Sequence, residues 1–140
     1  MMSLQAFFAQ NVQSELTEEF VVSERFKEDN GASIKWELKT LTESENEMIR
    51  KSATRSVKGK NGARSTETNP EDYVAKLAVA SVVYPDLQSA DLQQSYGVMG
   101  ADNLLKKMLL SGEYANLLAK VQELNGFDRD INDMAEEVKN

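Results

Sequence analysis

The sequence contains no cysteine and no histidine, and only two prolines among its 140 residues. Without cysteine, neither a disulfide framework nor a thiolate metal site can form. Without histidine, the chain lacks the commonest general base and the commonest metal ligand. Most hydrolytic and redox catalysis is therefore disfavoured, and we expect a protein that is not an enzyme and has no catalytic residue, cofactor or metal.

Long apolar runs are also missing. No stretch approaches the roughly 20 apolar residues that a membrane-spanning helix needs. The short apolar segment near the N-terminus lacks the basic flank and cleavage site of a signal peptide. We therefore expect a cytoplasmic protein with no membrane partner. A chain of this length can bury roughly 65 to 70% of its unfolded surface in one core, which predicts a single domain over residues 1–140.

Charge is unevenly distributed along the chain, whose net charge is −7. Residues 50–66 hold no acidic residue and six basic ones, namely Arg50, Lys51, Arg55, Lys58, Lys60 and Arg64. The acidic remainder repels phosphate at long range, which disfavours nucleic acid as a partner. Residues 57–68, which overlap this segment, have one large apolar side chain, Val57, and cannot repay the entropy of ordering. We interpret residues 57–68 as a mobile basic linker.

The first part of the chain, residues 1–56, is predicted to combine helix and hairpin. Ser3 can cap a short helix whose Phe7 and Phe8 are expected to pack on the core. Thr42 followed by Glu45 forms a capping-box pattern that starts a helix ending near residue 55. Its inward-facing residues are expected to be Met48, Ile49 and Ala53.

Between these helices, alternating apolar residues predict two half-buried strands joined as a hairpin. A two-residue Asn30-Gly31 turn would put the apolar residues of the two strands on opposite faces. A three-residue loop of Asp29, Asn30 and Gly31, with Gly31 in the left-handed region, brings them to one face. This loop predicts that Phe26 lies opposite Ile34, Glu24 opposite Trp36 and Val22 opposite Leu38.

The second part, residues 69–140, is predicted to be helical. Asn69 and Pro70 begin a helix that is apolar nearly all round up to Pro85, which suits the centre of the core. A short helix from Ser89 or Asp91 ends at Gly97, and amphipathic helices follow over residues 102–110 and 113–124. A last helix begins near residue 128. The fold class is therefore α+β, mainly α: an N-terminal helix and β-hairpin followed by a compact bundle of about five helices.

Two apolar stripes in this helical part are candidates for contact with another protein. The last helix carries a narrow stripe at the very terminus, where a segment is most easily detached from the body. The preceding helix carries a wider one. We predict a protein-binding surface made of Tyr114, Leu117, Leu118, Val121, Ile131, Met134 and Val138.

A calcium-loop pattern begins at Asp128, but its sixth position is Asp133, where glycine is required. Its twelfth position is Lys139, where a bidentate glutamate is required. The glycines Gly97 and Gly100 lack the lysine and hydroxyl residues of a phosphate-binding loop. Both patterns are better interpreted as joints and caps of helices.

Several ordered features of the helical part occur together: SYG-x-x-G from Ser95, KML-x-x-GEY from Lys107 and LNGFD from Leu124, with LTESE from Leu41 nearer the N-terminus. In this combination the chain resembles the tail assembly chaperones of phages and phage-like prophage elements. It is most similar to the XkdN-like group, of the PBSX type. The resemblance covers most of the chain and includes no reactive motif.

The resemblance implies a function in the assembly of long phage tails. Chaperones of this family are expected to bind the tape measure protein, to help recruit tail tube subunits, and to be absent from the finished particle. Self-association is a further possibility. Two alternatives stay open at this point: a virion structural or adaptor protein, and a small regulator that contacts nucleic acid through the basic residues 50–64.

Overall fold

The structure is a computed structural model that describes residues 4–13 and 15–127. Its helices and strands, in chain order, are β1 (Thr17–Phe20), β2 (Trp36–Lys39), α1 (Glu43–Ser52), β3 (Thr54–Lys58), β4 (Arg64–Thr68), α2 (Pro70–Ser81), β5 (Val82–Tyr84), α3 (Ala90–Ser95), α4 (Ala101–Met108) and α5 (Ser111–Leu124). This content confirms the α+β class. The predicted helix beyond residue 128 lies outside the described residues.

A three-stranded antiparallel sheet in the order β1, β2, β5 forms one side of the core. The predicted hairpin has the three-residue loop that the pattern required, because the Glu28 N–H donates to the Ala32 carbonyl and Gly31 has a φ of +87°. The predicted pairing holds only at the tip, where Lys27 bridges to Ser33.

Farther along the same hairpin the predicted register is wrong. Phe20, and not Glu24, lies opposite Trp36, and Glu18, and not Val22, lies opposite Leu38. Six residues on the first side, 21–26, face only two on the second, 34–35. The extra residues bend away from the ladder and reach the helices, as a bulge allows. Val22 thereby enters the core, and the neighbouring polar side chains contact α5.

The segment interpreted as a mobile basic linker, residues 57–68, belongs to a second hairpin over residues 54–68. Strands β3 and β4 pair over five residues each, from Thr54 opposite Thr68 to Lys58 opposite Arg64. The turn repeats the first hairpin, since the Gly59 N–H donates to the Ala63 carbonyl and Gly62 has a φ of +81°. The dipeptide Asn61-Gly62 is the signal that could have predicted it. Every residue of β4 is exposed, and mobility of this hairpin stays a prediction.

Helix α1 has the predicted N-terminus and a different inner face. Thr42 and Glu45 form the complete capping box. Ala53 is buried and Ile49 packs against the core, but Met48 is 72% exposed, so its predicted inward position is wrong. The polar Asn46 is buried instead, where its side-chain oxygen accepts a hydrogen bond from the hydroxyl of Tyr73 on α2.

Helix α2 begins as predicted, with the side chain of Asn69 capping it and Pro70 at its first turn. It ends at Ser81, four residues before Pro85, because residues 82–84 form the edge strand β5 beside β2. A residue that precedes proline disfavours helical backbone, and β-branched valines favour strands. Both preferences favour extended backbone over residues 82–84, and the free edge of β2 provides the partner strand.

One hydrophobic core joins the sheet to the helices. It contains thirteen buried apolar side chains from the sheet, α2, α4, α5 and the loops next to them: Val22, Trp36, Leu38, Leu77, Ala78, Leu87, Ala101, Leu104, Leu105, Met108, Leu109, Leu117 and Val121. Helices α3, α4 and α5 match the predicted positions, with the Ser89 side chain capping α3 and Gly97 in the left-handed region after it. These three helices therefore lie where the sequence pattern predicted them, whereas the predicted five-helix bundle is not confirmed.

The predicted N-terminal helix is absent from the described residues. Residues Leu4–Phe7 and Ala9–Asn11 form two short 3-10 turns, and none of their residues is buried. The expectation that Phe7 and Phe8 pack on the core is wrong, since both are exposed. A helix this short is marginal in water unless it packs on a surface, and none of these residues is buried against the core.

Candidate protein-binding surfaces

The structure separates the predicted stripe on α5 into inner and outer residues. Leu117 and Val121 are 0% and 1% exposed and belong to the core. Tyr114 and Leu118 are half-buried and pack against that core from outside. The predicted surface therefore needs a correction. Leu117 and Val121 already contact residues of the same chain, so a partner cannot contact them directly.

The other three predicted contact residues, Ile131, Met134 and Val138, lie outside the described residues, as does the calcium-like run from Asp128. The structure nevertheless shows what surrounds α5. Leu110, immediately before this helix, and Phe127, shortly after it, are both exposed. These two residues and the half-buried Tyr114 and Leu118 are the apolar side chains that α5 and its ends leave accessible to a partner.

Residues of the sequence motifs that carry the family resemblance lie where one helix or strand meets another. In the GEY motif, the Glu113 carboxylate accepts hydrogen bonds from the Ser23 hydroxyl at 2.5 Å and from the Leu110 backbone N–H at 2.8 Å. It also forms an ion pair with Arg25 at 2.5 Å, and Arg25 in turn donates to the Met108 carbonyl. This cluster fastens the bulged hairpin strand to the junction of α4 and α5.

Asn125 of the LNGFD motif forms a second joint. Its side-chain oxygen accepts a hydrogen bond from the Leu41 N–H at 2.6 Å, and its amide donates to the Val121 carbonyl at 2.9 Å. The end of α5 is thereby held beside the segment that leads into α1. These motif residues stabilise the fold and offer no reactive group.

The Glu113 cluster predicts a specific pH dependence of stability. The hydrogen bonds from Arg25, then Ser23 and the Leu110 N–H, lower the pKa of Glu113 from 4.5 to about 2. A carboxyl whose pKa is depressed on folding stabilises the protein above its unfolded pKa, and the contribution is lost as the pH falls through the folded pKa. The contribution of Glu113 should therefore disappear between about pH 4.5 and pH 2.

Urea unfolding across this pH range tests the expectation. Unfolding of Glu113→Gln should take up about one proton fewer per molecule than unfolding of the unmodified chain in that window. Glu19→Gln is the matched control, because Glu19 is a surface carboxylate 3.7 Å from Lys35, and such pairs contribute little. Equal pH dependence of the Glu113 variant and the unmodified protein would contradict the assignment.

Exposed apolar residues are concentrated in the N-terminal arm, which we define as residues 4–13. Leu4, Phe7, Phe8 and Val12 are all exposed. The arm has no charged residue. It joins β1 through Leu16, whose N–H donates to the Thr40 hydroxyl while its carbonyl accepts from the Thr40 N–H. The uncharged, apolar composition of the arm favours burial, so the sequence contained no signal for this exposure.

An apolar groove opens at one end of the three-stranded sheet. We call it the aromatic groove, and its volume is about 180 Å³. Its lining consists of Phe26, Ile34, Trp36, Tyr84, Pro85, Leu92, Tyr96 and Met108. Small-molecule sites usually measure about 300 to 1,000 Å³, so the groove is suited to a side chain of a protein. Because it unites residues far apart in sequence, periodicity could not have predicted it.

The basic residues of positions 50–64 are spread over α1 and the β3–β4 hairpin. Arg50 and Lys51 form ion pairs with Glu43 and Glu47 of the same helix. Arg55, Lys58 and Arg64 lie on the hairpin strands and Lys60 on its turn, all of them exposed. Contact between this hairpin and nucleic acid remains the less favoured alternative.

Within residues 4–13 and 15–127, no group of three or more acidic side chains is arranged to hold a metal ion. In the same part of the chain, no helix is long and apolar enough to cross a membrane.

Known proteins are similar to this chain in both sequence and fold. A sequence model of one family, described as the phage XkdN-like tail assembly chaperone protein (TAC), matches residues 4–139. The phage-like element PBSX protein XkdN of Bacillus subtilis (strain 168) is 35% identical over 122 residues, which cover 85% of this chain and 81% of that protein. The protein YqbN of the same strain is 33% identical over 125 residues, covering 87% of this chain and 83% of YqbN. A crystal structure of YqbN has a TM-score of 0.77 at 26% identity and covers 91% of this chain and 99% of that one.

Proposed function

Because the chain belongs to the XkdN-like family of phage tail assembly chaperones, we propose that it binds the tape measure protein of a long-tailed phage or prophage element. It holds this client in a soluble, assembly-competent state and helps to recruit tail tube subunits around it. The protein works in the cytoplasm of the bacterial host, has no enzymatic activity, and is absent from the finished particle.

The observation that carries the proposal is the apolar surface around α5. Leu110 and Phe127 are exposed at its two ends, and Tyr114 and Leu118 are only half-buried along it. The stripe of Ile131, Met134 and Val138 follows Phe127 closely in sequence. We propose that these residues together form the client-binding surface.

Binding at such a surface is passive. Burying apolar area contributes roughly 25 cal/mol per Å² before ordering costs are subtracted, so the free energy of binding comes from the apolar side chains that leave water. Tube subunits that polymerise on the client would compete for the same apolar groups and release the chaperone. The net charge of −7 keeps the complex soluble.

Replacement of Ile131, Met134 and Val138 by serine tests the proposed surface. Affinity for the tape measure protein should fall about tenfold or more, which corresponds to about 1.4 kcal/mol, while the cooperative melting of the body stays largely intact. Met48→Ser is the matched control, since Met48 is equally apolar and 72% exposed on α1. It should leave the affinity unchanged.

Three outcomes would overturn parts of the proposal. If the unmodified protein does not co-purify with the tape measure protein, the proposed client is wrong. If the triple variant binds normally, the surface is wrong. If the three substitutions unfold the whole domain, the stripe of Ile131, Met134 and Val138 belongs to the core. Detection of this chain in purified, finished particles by mass spectrometry would favour the alternative of a virion structural or adaptor protein.

A further inference from the structure

We propose that the N-terminal arm binds in the aromatic groove of a second copy of this chain, and that reciprocal exchange of the two arms forms a dimer. The side chain of Phe7 enters the groove. This inference concerns the isolated protein and does not depend on the proposed client.

The arm and the groove match in size and chemistry. Phe7 is 74% exposed and belongs to a segment without any charged residue. The groove, about 180 Å³ in volume, is lined almost entirely by apolar and aromatic side chains. An apolar cavity of about 150 Å³ is enough to take one benzene molecule, so the groove accommodates one phenylalanine ring. Trp36 and Phe26, whose ring centroids lie 6.3 Å apart, provide aromatic contacts for it.

The arm is attached at the other end of β2 from the groove of its own chain. The arm joins the sheet beside Thr40, just after the end of β2, whereas Trp36 in the groove begins β2. At about 3.3 Å per residue, these two points lie about 13 Å apart along the strand. The arm continues from β1, at one edge of the sheet, whereas Tyr84 of the groove belongs to β5, at the other edge. Exchange between copies removes the need to cross the sheet.

A reciprocal exchange has the symmetry of a closed dimer. Each copy gives one arm and receives one, so the contact closes after two chains, as exchange of an identical element does. Phe7 and Phe8 are exposed on each arm, so the exchange removes apolar surface of both arms and both grooves from water.

Charge favours the same contact. The whole net charge of −7 is carried outside the arm. Two copies of the body therefore repel each other, whereas the arm can approach a second copy without adding to that repulsion. An uncharged segment is the part of the chain best suited to join two acidic bodies.

Sedimentation velocity over a wide range of protein concentrations tests the dimer. The unmodified 15.6 kDa chain should show a concentration-dependent dimer. In Phe7→Ser the dimer dissociation constant should rise at least about tenfold. Met99→Ser is the matched control, since Met99 is 87% exposed outside the arm and the groove, and it should leave the dimer unchanged. Because Phe7 is exposed, the serine variant should keep the circular dichroism of the folded chain.

Disulfide trapping identifies the contact, because the chain has no cysteine of its own. A mixture of Phe7→Cys and Tyr84→Cys should form a mixed disulfide under mild oxidation, and a mixture of Phe7→Cys and Met48→Cys should not. A chain that is monomeric at every concentration, or a dimer insensitive to Phe7→Ser, would overturn the proposal. An intrachain disulfide in the double variant at high dilution would show that the arm returns to its own groove, which would also overturn it.

Discussion

Replacing Trp36 by alanine should destabilise the protein by about 3 to 5 kcal/mol, the usual cost of removing a large aromatic side chain from a core. Trp36 is 1% exposed in the middle strand of the sheet, where its ring contacts that of Phe26. Since whole domains of this kind are stable by only about 5 to 15 kcal/mol, such a loss removes a large share of the free energy of unfolding.

The measurement is urea unfolding followed by far-UV circular dichroism. Tryptophan fluorescence is unsuitable because Trp36 is the only tryptophan of the chain. Trp36→Phe is the control, since it retains an aromatic ring next to Phe26 and should lose clearly less stability than the alanine variant. Equal stability of Trp36→Ala and the unmodified chain would show that this side chain does not organise the core.

The second large effect is expected at Leu117. This residue is 0% exposed, so Leu117→Ala should lower the free energy of unfolding by about 2 to 5 kcal/mol. Leu118→Ala is a matched control in the same helix, with the same chemical change at a half-buried position. Its loss should be clearly smaller, because less apolar surface leaves water when Leu118 packs.

This pair of variants also tests which side of α5 faces a partner. If the tape measure protein binds the outer side of the helix, Leu118→Ala should weaken that binding while the body stays folded. Leu117→Ala should act through stability, so its effect on binding should vanish under conditions where the variant is fully folded. The reverse pattern would mean that α5 turns its other side to the client.

Features encoded by a few neighbouring residues were predictable from the sequence. The capping box at Thr42 and the cap at Asn69 are present where their patterns indicated. The loop around Gly31 has the expected length and backbone conformation. The positions of α4 and α5 followed from apolar spacing. The family resemblance is confirmed by the family sequence model, which matches residues 4–139.

The candidate surfaces were less predictable. Apolar spacing identified Tyr114, Leu117, Leu118 and Val121 as one stripe, but it could not divide that stripe into a core side and an outer side. Burial of Leu117 depends on where the sheet and α4 lie. The aromatic groove also depends on contacts between distant residues. Ser23 and Arg25 contact Glu113 of α5, and residues 21–26 therefore do not pair in the hairpin ladder as the sequence pattern predicted.

The sequence by itself determined where most helices begin and end, because capping hydrogen bonds and backbone preferences act between residues a few positions apart. It also determined that cysteine and histidine chemistry is absent. Only the tertiary structure decided that Val82 to Tyr84 form a strand beside β2, that residues 21–26 leave the hairpin ladder, and that Phe7 stays in water. Each of these outcomes depends on surfaces supplied by residues distant in sequence. Burial therefore cannot be derived from neighbouring residues in the way that a helix cap can.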